Sequence, residues 1–384
     1  MELPGLLDVM VERDASDLYL SVGSPPRCRI DGVVQTVGTG SLNATEIEDL
    51  AKSIMSSQQW NEFSRRHEMD LALSVSKLGR FRVNVFHQRS TVSVVVRRIK
   101  VEIPSIEDLG LPPILKDIAM TKRGLALIVG ATGCGKSTTL AAMIDHRNGN
   151  SPGHIVTIED PIEFIHRHKM SLVNQRELGF DTLSYHEALK RAMRQAPDVI
   201  LIGEIRDETT MEAAITFADT GHLCLATLHS TNASQAFERI LNFFPEARQP
   251  QFLLQLSLNL RAIVCQRLVP ALDGKRLPAV EILIDTPRVK DLIKKGEIDL
   301  LKEAMEQGEH EGNQTFDQSL FDLYWAGKVD LDQALGYADS VNNLRLRIKL
   351  AESQRGIDKP ADDGAFRIKE GSPGAKPKPW GFGS

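Results

Sequence analysis

Leu125-Ala126-Leu127-Ile128-Val129 runs straight into Gly130-Ala131-Thr132-Gly133-Cys134-Gly135-Lys136-Ser137, and Thr138–Asp145 follows with helical spacing. The middle of this stretch matches G-x-x-x-x-G-K-[ST] in full. The apolar strand before it and the helix after it are the context that gives the match its meaning. Its glycines let the backbone curl until its N–H groups face phosphate oxygens, and the start of the helix adds partial positive charge. Lys136 is then expected to reach the β- and γ-phosphates, and the Ser137 hydroxyl a magnesium ion. Gly130 to Thr138 form the candidate nucleotide-binding segment.

Working outward, Ile155–Ile158, Val199–Ile202 and Leu223–Leu228 are further near-continuous apolar runs. Such runs suit strands buried on both faces of a mostly parallel sheet with helices on either side. Residues 113–357 therefore read as an α/β domain built around the P-loop. Residues 1–100 differ. Asp17–Val22, Arg27–Ile30, Val33–Val37, Arg80–Val85 and Thr91–Ile99 read as strands, with Asp31-Gly32 as a hairpin turn. Thr45–Phe63 has helical spacing. This is a small α+β domain with an antiparallel sheet. Residues 101–112, with two prolines and a glycine, read as a linker. Residues 358–384 are rich in Pro, Gly and Lys and read as disordered, because they cannot bury enough surface to offset the entropy of ordering.

Several strand ends carry chemistry. Val199-Ile-Leu-Ile-Gly-Glu204 is an apolar strand ending in an acid, and in P-loop enzymes such an acid sits beside the magnesium. Thr157-Ile-Glu-Asp-Pro-Ile-Glu163 packs Glu159, Asp160 and Glu163 into five positions. Like charges crowded this way repel unless a cation or a catalytic task offsets the cost. One of them is a candidate to orient or deprotonate the attacking water. His222 and His229 bracket the Leu223–Leu228 strand, so His229 is placed to approach a γ-phosphate. His166 and His168 lack the partner spacing of a metal site.

The composition narrows the class. The 384 residues are 42% hydrophobic and 25% charged, an ordinary globular balance. No apolar run approaches the roughly 20 residues of a membrane span. The N-terminus lacks a basic segment and a long apolar core, so it does not read as a secretory signal. A net charge of −5 and 5% aromatics argue against nucleic acid as the partner, which calls for a basic stripe or a stacking platform. The four cysteines, Cys28, Cys134, Cys224 and Cys265, form no C-x-x-C pair, and scattered cysteines suit a reducing cytosol.

Together these motifs resemble the secretion ATPase superfamily, and more closely its type IV pilus retraction motors of the PilT/PilU type. Ser16-Asp-Leu-Tyr-Leu-Ser-Val-Gly-Ser-Pro-Pro26 with Arg29-Ile-Asp-Gly32 is similar to their N-terminal signature. Pro197–Asp207 and Thr220–His229 follow the same pattern, and Arg194–Asp198, Asn242–Glu246, Leu256–Ala262 and Gln314–Gln318 are most similar to the PilU type. The resemblance implies a PAS-like N-terminal domain, a RecA-like ATPase domain, and a homo-hexameric ring with ATP and Mg2+ as cofactors. It implies a cytoplasmic location at the inner-membrane base of the pilus, with a platform protein and a PilT-like motor as partners. It assigns Glu204 to magnesium support beside Ser137, Glu163 to the general base, and His222 and His229 to the His box. The ring suggests an arginine supplied by a neighbouring subunit, and Arg82 and Arg97, on the strands Arg80–Asn84 and Val95–Arg98, are the candidates. The family's retraction motif Ala-Ile-Arg-Asn-Leu-Ile-Arg-Glu reads Arg288-Val-Lys-Asp-Leu-Ile-Lys-Lys295 here. Loss of its final acid favours a helper role beside a PilT ring. The alternative, a pilus assembly or type II secretion ATPase, usually carries an extra N-terminal domain and a tetracysteine insert.

Overall fold

The computed structural model describes residues 3–99 and 101–354; the tail 358–384 lies outside them. Helix α1 (Leu3–Glu12) precedes six strands: β1 (Asp17–Leu20), β2 (Arg27–Ile30), β3 (Val33–Thr36), β4 (Glu68–Val75), β5 (Gly79–Gln88) and β6 (Thr91–Arg98). They form one sheet in the order β3-β2-β1-β6-β5-β4, antiparallel at every step. Asp31 and Gly32 join β2 to β3 with φ of 49° and 81°. Those left-handed values match the twist of a two-residue hairpin. Strand β4 escaped the sequence reading, its acids and serine masking the alternation.

The spacing across Thr45–Phe63 predicts a single helix. The structure has two, α2 (Ala44–Ser53) and α3 (Ser57–Arg66). Ser56 restarts the chain: its hydroxyl accepts from the Gln59 N–H, and the Gln59 side chain accepts from the Ser56 N–H. This reciprocal cap satisfies two orphan donors and fixes the break. In β5, Phe81, Val83 and Val85 are fully buried while Arg80, Arg82 and Asn84 are half-exposed. One face thus joins the small domain's core with Leu18, Val94 and Val96. The other face presents arginines.

The second sheet holds β7 (Gly124–Val129), β8 (Gly153–Glu159), β9 (Ser171–Glu177), β10 (Val199–Ile202), β11 (Leu223–Leu228), β12 (Leu260–Pro270) and β13 (Arg276–Ile284). Its order is β13-β12-β7-β11-β10-β8-β9. All pairs are parallel except β12 with β13. Helices α4 (Ile114–Met120) and α5 (Lys136–Asn150) come early in this part. They are followed by α6 (Tyr185–Ala192), α7 (Glu208–Asp219), α8 (Ala233–Leu241) and α9 (Gln249–Asn259). The chain then continues through α10 (Pro287–Lys295), α11 (Leu301–Gln307), α12 (Phe316–Trp325), α13 (Leu331–Gly336) and α14 (Val341–Gln354).

Both faces of the sheet are covered. Leu125, Leu127 and Val129 pack with Met211, Phe217 and Phe237 on one side. Ala126 and Ile128 pack with Leu140, Met143 and Ile144 on the other. That is why β7 reads as an unbroken apolar run rather than an alternating one. Each of the Leu, Ile, Val, Met and Phe side chains, fully buried, contributes about 1.5–3 kcal/mol relative to exposure. Ile106 and Leu111, from the segment between the two sheets, are buried in the second core. No helix among the described residues is long and apolar enough to cross a membrane. The parallel strands β7, β8, β10 and β11 all end on the same edge of the sheet, and ligands of open α/β sheets bind at that carboxyl edge.

Candidate nucleotide-binding and hydrolytic site

Val129 ends β7, and the chain enters the loop that leads into α5. Gly133 and Gly135 adopt φ of 78° and 94°, left-handed values that side chains with a Cβ avoid. At Gly130 the constraint is space: a Cβ there would lie 2.7 Å from the Gln266 carbonyl oxygen and would collide with the Cys134 sulfur. Gln266 also braces the loop with its side chain. Its Oε1 accepts from the Thr139 hydroxyl at 2.7 Å, and its amide donates to the Cys134 carbonyl at 2.8 Å. The sequence reading missed Gln266, although a lone amide inside the apolar run Ala262–Cys265 to Leu268 was a visible signal. Ala131, Thr132, Gly133 and Ser137 are exposed at the mouth, whereas Cys134 is buried beneath it. An oxidant therefore has little access to the Cys134 thiol. The bare, curled loop at the head of a 15-residue helix fits a phosphate group.

Lys136 is 9% exposed. Its Nζ donates to the carbonyls of Gly130 at 2.7 Å and Ala131 at 3.0 Å. Burial lowers its pKa, with the nearby Cys134 and Glu204 opposing the shift. The ammonium is thus held in the loop by backbone oxygens, ready to exchange them for phosphate oxygens. Lys136→Ala should leave the melting temperature close to wild type and cut ATP turnover by about 10²–10³, the range for losing one preorganised donor to transition-state charge. A steady-state phosphate-release assay checks it, and normal turnover by the folded variant rules out the P-loop assignment.

The strand-end acids converge on the same cleft. Lys136, Ser137, Glu159, Glu163, Glu204 and His229 line a cavity of about 670 Å³. Glu204, just past β10, accepts from Arg206 Nε at 2.6 Å and lies 3.2 Å from His229 Nε2. His229 Nδ1 sits 3.4 Å from Lys136 Nζ. An ammonium only donates, so Nδ1 accepts and the Nε2–H donates to Glu204. Burial and the Lys136 charge lower the His229 pKa, which favours this neutral form. Lys136 at the start of α5, His229 after β11 and Glu204 after β10 form one hydrogen-bonded chain. Arg206, which also reaches Asp160 at 3.1 Å, was not singled out from sequence.

The three acids at and after the end of β8 divide in role. Glu159 accepts from the Thr157 hydroxyl at 2.6 Å and the Gln175 amide at 3.1 Å. Burial raises its carboxyl to about 7 against those hydrogen bonds. Asp160 is bound to Arg206. Glu163 is exposed between the buried Ile162 and Phe164, which anchor its backbone and leave its carboxylate free in the cleft. His166 lines the same cleft, and burial drops its pKa to about 4. His222 lies at the opposite end of β11 from His229. It contacts the Phe217 carbonyl and the Thr220 hydroxyl at the end of α7.

The two arginines taken from sequence are direct cross-strand neighbours, Arg82 opposite Arg97, so both project from the small domain's outer face. They part company there. Arg97 lines the nucleotide cleft of its own chain and is tied to Asp17 at 2.7 Å. That hydrogen bond raises its pKa, and Glu163 is near enough to add to the effect. Arg82 does not line this cleft. It pairs with Glu177 of β9 at 2.9 Å. A neighbour's arginine is therefore not needed to place a guanidinium in the cleft.

The comparisons with known proteins agree with this geometry. The Type II/IV secretion system protein family matches residues 5–308. The chain is 52% identical to the type IV pilus ATPase PilU of Pseudomonas aeruginosa, over 91% of this chain and 92% of that protein. It is 40% identical to the type IV pilus retraction ATPase PilT of the same organism, over 87% and 97%. The crystal structure of the pilus retraction motor PilT with bound ADP superposes with a TM-score of 0.83 at 38% identity, covering 90% of this chain and 99% of that one. A P-loop at the head of α5, acids at the ends of β8 and β10, a histidine at the end of β11 and a small antiparallel domain over the cleft thus occur in a chain that belongs to the Type II/IV secretion system protein family, among its PilT/PilU-type secretion ATPases.

Proposed function

We propose that the protein is a magnesium-dependent ATP hydrolase that couples hydrolysis to type IV pilus retraction and twitching motility. In this reading it forms a homo-hexamer and works as a PilU-like accessory to a PilT-type motor, in the cytoplasm against an inner-membrane platform protein. The observation that carries the reading is the convergence of Lys136, Glu163, Glu204 and His229 in one cleft. Ser137 and Glu204 would hold the magnesium ion, which when bound neutralises charge on the transferring phosphoryl group. The residues of the P-loop bind and orient the phosphates, Glu163 takes a proton from the attacking water, and His229 reports the state of the phosphates to Glu204. The intact Lys136, Glu163 and Glu204 speak against an inert ring subunit.

In α10, Lys295 pairs with Asp291 at 2.6 Å on the helix's own surface. The position that bears an acid in the retraction motif is thus occupied by a cation already satisfied within its helix. This supports a helper role. The test is a chromosomal deletion scored for surface pilus number and twitching, with and without the second motor. Strains lacking only this protein should retract weakly under load and still retract, whereas strains lacking only the second motor should fail. Full retraction by this protein alone would overturn the accessory role.

A further inference from the structure

Glu177 ends β9, the edge strand of the large sheet, and is only 2% exposed. Two cations reach it, and both come from the small domain: Arg82 Nη2 at 2.9 Å and Arg80 Nη2 at 3.3 Å. Burial raises its pKa, and the two arginines oppose the rise. A carboxylate this deep is costly unless paired and hydrogen-bonded. The clamp therefore makes the large domain's edge depend on where the small domain sits.

The same edge reaches the hydrolytic loop. Glu177 stands opposite Glu159 in the β8–β9 register, and the next residue's N–H donates to the Glu159 carbonyl at 2.8 Å. Two residues before Glu177, Gln175 spends its amide on the Glu159 side chain at 3.1 Å and the Phe164 carbonyl at 2.8 Å. Its side-chain oxygen accepts from the His166 N–H at 2.8 Å. Phe164 directly follows Glu163. One amide thus fixes both the acid before that segment and the backbone after it.

We propose that Glu177 is a positioning residue for hydrolysis: clamped by Arg80 and Arg82, it holds the end of β9 and, through Gln175, the segment that carries Glu163. Docking of the small domain then sets the geometry of the base, and its departure loosens Glu163 without touching the P-loop. Arg82 acts through this contact. The inference rests on the reading of the cleft as an ATP-hydrolysing site.

The test compares the full chain with Glu177→Gln, Gln175→Ala, the pair Arg80→Ala/Arg82→Ala, and that pair combined with Glu177→Gln, reading kcat, KM for ATP and melting temperature. Misplacing a catalytic group through its supporting shell costs on the order of 10–100-fold. Each variant should lose that much kcat with KM unchanged. The arginine pair leaves a buried acid unpaired and should lower the melting temperature. Adding Glu177→Gln should restore the melting temperature without restoring kcat. A folded Glu177→Gln with wild-type kcat overturns the proposal, as does a kcat that recovers together with the melting temperature. A wild-type chain that hydrolyses no ATP overturns the reading of the site, and this proposal with it.

Discussion

Replacing Glu163 by glutamine should slow ATP hydrolysis by about 10²–10⁴-fold, the usual cost of losing a general base, while nucleotide affinity stays at the wild-type level. The amide keeps the shape of the side chain and loses only its basicity. The prediction depends on choosing among three acids, and the structure separates them. Asp160 is held by Arg206 at 3.1 Å. Glu159 is held by Thr157 and Gln175, and its carboxyl sits at about 7 because it is buried. Glu163 has an exposed carboxylate in the cleft, so it can meet a water. A pH profile adds a second check. A base with the Glu159 carboxyl's pKa would be half-protonated near pH 7, and turnover would climb through that pH. If Glu163→Gln kept near wild-type turnover and the profile rose through pH 7, Glu159 would be the base.

Much of this site was legible in the chain because its parts are short, local and repeated. The P-loop lies in eight consecutive residues. The apolar runs of β7, β10 and β11 are followed within two residues by Gly130, Glu204 and His229, and β8 ends on Glu159; parallel pairing alone brings those ends to one edge. What stayed hidden acts across long separations or depends on orientation. Gln266 braces Thr139 from 127 positions away, and Arg82 meets Glu177 across 95. Period-two alternation says that Arg80 and Arg82 share a face, but not what the face meets. Strands β12 and β13 are long and apolar yet carry Gln266, Arg267 and Glu281, which dilute the pattern of a buried strand. The break between α2 and α3 was written in Ser56 and Gln59. It was missed because Ile47, Leu50 and Ile54 keep helical spacing, and so do Trp60 and Phe63; read as one helix, the two sets would fall on nearly opposite faces, which was itself a signal of the break.

Arg97→Ala should cost about 10³–10⁵ in turnover, the worth of an arginine that neutralises charge on a transferring phosphoryl group. The P-loop has no arginine close by in sequence, so the ring expected from the family resemblance suggests delivery by a neighbouring subunit. The single chain offers a shorter route. Arg97 lines the cleft together with Lys136, Glu163 and Glu204 of the same chain. Its guanidinium is tethered by Asp17, which is 3% exposed, while its own side chain remains 64% exposed. A buried anchor and an exposed head suit a cation that must swing onto a ligand without leaving the domain. Mixing subunits separates the two routes. In a mixed ring of Arg97→Ala and Glu163→Gln subunits, delivery from a neighbour would rebuild complete sites, because an Arg97→Ala subunit keeps its Glu163 and can borrow the missing arginine. Action within one chain rebuilds none, since every site lacks either its arginine or its base. The expected result of titrating one inactive variant against the other is no recovery at any ratio, with mixed hexamers demonstrated by tagged co-purification. Activity that rises and peaks at intermediate ratios would assign Arg97 to the neighbouring subunit's site.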